Sequence, residues 1–74
     1  MYKYELEITG MMCSMCESHI NDVIRKNFNA KKIKSNHKKN LTTFMIEDLI
    51  DEAKLNNIIV QTGYKLGKIK YEIK

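Results

Sequence analysis

Residues 2–20 read Tyr2-Lys3-Tyr4-Glu5-Leu6-Glu7-Ile8-Thr9-Gly10-Met11-Met12-Cys13-Ser14-Met15-Cys16-Glu17-Ser18-His19-Ile20, and the period of the apolar residues changes within them. As far as Ile8, the apolar Tyr2, Tyr4, Leu6 and Ile8 alternate with Lys3, Glu5 and Glu7. That is the pattern of a strand with one buried face. Thr9-Gly10 ends it, glycine permitting a sharp turn. Ser14 with Glu17 three residues later forms a capping box, which predicts a helix start at Ser14. From Cys16 onward Ile20, Val23, Ile24 and Phe28 recur at helical spacing. Asn27 or Asn29 can take the left-handed conformation that ends such a helix.

Working outward, residues 30–35 read as an extended segment with Ile33 as the core residue, and Asn36-His37-Lys38-Lys39-Asn40 as a polar hairpin turn. Leu41 to Ile46 is the returning strand. Asp51 is the expected cap of a second helix with Leu55, Ile58, Ile59 and Thr62 on one face, and Gly63 its terminator. Ile69, Tyr71 and Ile73 alternate with charged residues in a last strand. The order strand, helix, strand, strand, helix, strand predicts an α+β, ferredoxin-like βαββαβ sandwich: a four-stranded antiparallel sheet with both helices on one face.

The 74 residues make one domain, 1–74, with a modest core. No apolar run approaches a membrane span and no hydrophobic leader is visible, so a cytoplasmic protein without membrane insertion is expected. The net charge of +4 is uneven. Arg25, Lys26, Lys31, Lys32, Lys34, Lys38 and Lys39 occur between Val23 and Ile46 with no acidic residue after Arg25, a solvated face or a docking surface for an acidic partner. No aromatics interleave with these lysines, so nucleic acid is not the expected partner.

Chemistry concentrates in the Gly10–Ile20 stretch, which holds both cysteines. Cys13 precedes the helix start and Cys16 falls in its first turn, where amide groups and the helix dipole favour thiolate. A Cys-x-x-Cys pair there is a soft-metal ligand set or a redox couple. The absence of proline disfavours the redox reading, because thioredoxin-type proteins set a cis-proline beside the pair. Two thiolates suit Cu(I), a soft ion content with few ligands, whereas zinc asks for four protein ligands or three plus water.

Gly10-Met11-Met12-Cys13-Ser14-Met15-Cys16, followed by Ile20, resembles the Gly-Met-x-Cys-x-x-Cys motif of the heavy-metal-associated domain. Gly63-Tyr64 is similar to the Gly-Tyr pair of that family's bacterial copper chaperones, and the element order agrees over the whole chain. The resemblance implies no enzyme. It implies a metal-binding protein, Cys13 and Cys16 carrying Cu(I) and passing it by thiolate exchange to a P-type ATPase domain with a similar pair. The expected state is a monomer, or a dimer bridged by metal. The resemblance also implies that Met11 packs beneath the metal loop. Tyr64 stands either as an ordinary aromatic or as a group that shields the loop. Met12, Glu17 and His19 depart from the family pattern. His19, three residues after Cys16, is the candidate third ligand; if it ligates, preference shifts to Zn(II), Cd(II) or a three-coordinate copper, and a carrier of Zn(II), Cd(II), Hg(II) or another soft divalent ion would use His19 or a dimer to complete the shell. His37 is expected at the surface. A thiol-disulfide oxidoreductase is the remaining alternative.

Overall fold

The computed structural model describes residues 1–12 and 14–73; Cys13, one of the two expected metal ligands, lies outside the described residues. The elements are β1 (Tyr2–Thr9), α1 (Ser14–Asn27), β2 (Lys31–Asn36), β3 (Leu41–Ile46), α2 (Glu52–Gln61) and β4 (Lys65–Ile73). The strands form one antiparallel sheet in the order β2-β3-β1-β4. This is the expected ferredoxin-like arrangement.

The alternation in β1 buries Tyr4, Leu6 and Ile8 against the helices. Ile20 and Ile24 of α1, Leu55 and Ile59 of α2, and Phe44 of β3 pack into the same core, all essentially inaccessible. Full burial of each such side chain contributes about 1.5–3 kcal/mol. Tyr4 lies between two rings, with Phe44 stacked at 5.3 Å and Tyr71 at 5.2 Å. Its hydroxyl accepts from the Ile50 amide at 3.0 Å, so the central strand also holds the segment leading into α2. The opposite face of β1 is charged, and its register sets Lys3 beside Glu72 and Glu5 beside Lys70. Cross-strand pairs of opposite sign suit a solvated face.

Each helix end shows its own device. Glu17 lies in the first turn of α1 and Arg25 and Lys26 in the last, matching the helix dipole. Neither Asn27 nor Asn29 is left-handed, which corrects the sequence expectation. The Asn27 amide instead donates to the Val23 carbonyl at 2.8 Å, and the Phe28 amide to Ile24 at 2.9 Å, so terminal carbonyls are met without a left-handed residue. Asp51 caps α2 as expected, accepting from the Ala53 amide at 3.0 Å. Gly63 follows with φ +93°, and its amide donates to Val60.

Two irregularities escaped the sequence patterns. Lys32, at φ +54°, takes up a register shift between β2 and β3. In β4 the shift falls between the Ile8–Leu66 and Leu6–Ile69 pairs, an extra residue on the β4 side. Of the three expected core residues of β4, Ile69 is half-buried, while Tyr71 and Ile73 are 50% and 77% exposed. They lie on this edge strand opposite Tyr4 and Tyr2, at the sheet end away from the Thr9–Lys65 pair.

Candidate metal site

The motif occupies one end of the sandwich, where β1 gives way to α1. Gly10 has φ +104°, a conformation strained for any side chain bearing a Cβ. Met11 is 5% exposed and joins the core, as expected of a residue beneath the loop. Met12 and Met15 are 83% and 78% exposed. Cys16 sits in the first turn of α1, half-buried and packed against the rim of the core. Its sequence partner Cys13 lies outside the described residues.

Tyr64 reaches the loop from the other side. Thr9 pairs with Lys65, which delivers Gly63-Tyr64 beside Gly10. A Cβ on Gly10 would stand 3.2 Å from Tyr64 Cδ1, so the ring lies directly on the loop backbone. The same ring meets His19 edge to face, at 6.1 Å between centroids. His19 itself is exposed on α1. Among the described residues, no three His, Cys, Asp or Glu side chains gather to hold a metal ion.

His37 departs from expectation. It is half-buried: its backbone amide donates to Glu17 Oε2 at 2.8 Å, and its ring Nδ1 lies 2.6 Å from the same oxygen. The Glu17 carboxyl is held below its ordinary range, first by the backbone hydrogen bond, then by the ring contact. Nothing in the sequence pairs these residues, which are twenty positions apart. In the predicted capping box Glu17 turns back to Ser14; in the structure its Oε2 is engaged across the gap to the β2–β3 turn. A second polar link lies one helical turn on. Ser35 Oγ donates to Asn21 Oδ1 at 2.7 Å and lies 2.9 Å from the hydroxyl of the fully buried Thr42.

The basic residues expected to form one face are all exposed, Arg25 paired with Asp22 at 2.8 Å. Among the described residues no helix is long and apolar enough to cross a membrane. The aromatics Tyr2, Tyr4, Phe44 and Tyr71 contact one another on the core side of the sheet.

The sequence matches no family profile. It is 30% identical over 70 residues to a mercuric reductase of Lysinibacillus sphaericus, an alignment covering 95% of this chain. The aligned region is 13% of the reductase, so the chain spans about an eighth of that protein's length.

Proposed function

We propose that this chain is a soft-metal carrier of the heavy-metal-associated type, in which Cys13 and Cys16 take Cu(I) between two thiolates and surrender it by thiolate exchange. The observation that carries this reading is the placement of Cys16. It rides at the positive end of α1, half-buried, beside a loop pinned below by Met11 and flanked by Tyr64 at Gly10. A helix N-terminus favours the anionic sulfur a metal requires. Two sulfurs and few other donors suit an ion that accepts low coordination, and leave room for an incoming thiolate.

The partner in this reading is a metal-transporting P-type ATPase domain with its own cysteine pair, met in the cytoplasm. The exposed lysines would steer encounter with an acidic surface. The chain performs no reaction of its own. A second reading, Hg(II) as the carried ion, is favoured by the likeness to mercuric reductase along nearly the whole chain. It uses the same two sulfurs, Hg(II) being equally soft and equally content with two of them.

Anaerobic titration of the metal-free protein with Cu(I), Hg(II) and Zn(II), each against a chromogenic competitor, tests the proposal. One equivalent of Cu(I) or Hg(II) should bind far more tightly than Zn(II), and the Cys13→Ser/Cys16→Ser variant should lose it. Equal binding of the soft ion without the two sulfurs would overturn the reading.

A further inference from the structure

We propose that Glu17 and His37 form a clamp that holds the first turn of α1, making both of them positioning residues for the metal ligand Cys16. The inference rests on the carrier reading above for its metal-binding consequence, and on geometry alone for the clamp.

The loop that carries the motif leaves the sheet after β1 and re-enters regular structure at the first turn of α1. One short turn touches both of those ends. On the β1 side, the Ile8 amide donates to the Asn40 carbonyl at 2.9 Å. On the α1 side, the His37 amide and ring meet the Glu17 carboxylate at 2.8 and 2.6 Å. The turn between these contacts is braced. Asn36 Oδ1 accepts from the amides of Lys38 and Lys39 at 2.9 and 3.2 Å, and Asn40 takes φ +55°. Chain and hydrogen bonds therefore close a ring: Ile8, the metal loop, Glu17, His37, Asn40 and back to Ile8. Opening the Glu17–His37 step frees one end of the loop.

The first turn of a helix is the part most prone to fray, because its leading amides lack intrahelical partners. Cys16 rides on that turn. The Asn21–Ser35–Thr42 link grips α1 farther along and does not restrain its start. The Glu17 contact does, one residue beyond Cys16, and its side chains are only 24% and 29% exposed for Glu17 and His37.

The test compares Glu17→Ala, Glu17→Gln, His37→Ala and Ser35→Ala with wild type. In metal-free protein, amide exchange across residues 14–17 and alkylation of Cys16 should speed up in Glu17→Ala and His37→Ala, but not in Ser35→Ala. Cu(I) affinity should fall about tenfold in Glu17→Ala, because binding must then order a first turn of α1 that the contact already holds in the metal-free wild type. It should fall about threefold in His37→Ala, where the backbone amide still donates. Glu17→Gln keeps an acceptor oxygen and should recover most of the loss.

A purely electrostatic effect would act through the Glu17 charge, so Glu17→Gln would change Cys16 reactivity as much as Glu17→Ala does, and that pattern overturns the clamp. So does a response in Glu17→Ala and His37→Ala no larger than in Ser35→Ala. If wild type binds no soft metal, the carrier reading fails. Exchange and alkylation in the metal-free protein still decide the clamp.

Discussion

Replacing Gly10 by alanine probes the loop most directly, because two separable costs meet there. The first is conformational: at φ +104° a Cβ is strained, by about 1–3 kcal/mol. The second is steric. The new methyl would stand 3.2 Å from Tyr64 Cδ1 and 3.7 Å from Tyr64 Cα, so ring or loop must shift by a few tenths of an ångström. Gly63→Ala separates the two, since it has φ +93° but no atom within 4 Å of the added Cβ. It should carry conformational strain alone. Both variants can be unfolded in urea, metal-free, and followed by far-UV circular dichroism. A domain of this size is worth about 4–11 kcal/mol, so neither change should prevent folding. With a slope of about 1 kcal/mol per molar, conformational strain shifts each midpoint down by about 1–3 M. Gly10→Ala should lie below Gly63→Ala by a further amount that vanishes in a Tyr64→Ala background, the coupling a double-mutant cycle isolates. If Gly10→Ala costs no more than Gly63→Ala, or if removing Tyr64 leaves the difference intact, the packing of Tyr64 on the metal loop is refuted.

Tyr4→Phe should cost about 1–2 kcal/mol in the same assay, because the buried Ile50 amide loses its acceptor while both ring stacks persist. An unchanged midpoint would show that the amide finds another partner. His19→Ala should leave Cu(I) affinity within a few-fold, since the exposed ring packs against Tyr64; a large loss in titration would promote His19 to a ligand. Glu17 gives a signed pH dependence. Its carboxyl is lowered from an ordinary 4.5, so between that value and the depressed one the unfolded chain binds more protons than the folded protein. Its contribution is complete above pH 4.5 and is lost as pH falls through the depressed value, so wild-type midpoints should drop more steeply there than those of Glu17→Gln. Parallel curves would remove the carboxylate's role.

Where a signal is local, reading residues in order recovers the structure. The alternation of β1, the Asp51 cap, Gly63 and the Leu41–Ile46 strand all stand where their chemistry puts them. Met11 is buried, as the resemblance implied, while Met12 and Met15 are exposed. The failures share a cause. Helix α1 ends on an Asn27 side chain instead of a left-handed residue. Tyr71 and Ile73 continue a perfect alternation yet remain exposed, because burial depends on what covers a strand as well as on its period.

The amino-acid order alone determined the element sequence, the core stripes and the position of Cys16 in the first turn of α1, because periodicity and capping act over three or four residues. Only the tertiary structure decided that Tyr64 lies on Gly10, that Tyr4 holds the approach to α2, and that His37 engages Glu17 across twenty positions. Those contacts depend on how antiparallel pairing brings distant stretches of the chain side by side. No local pattern of residues encodes that proximity.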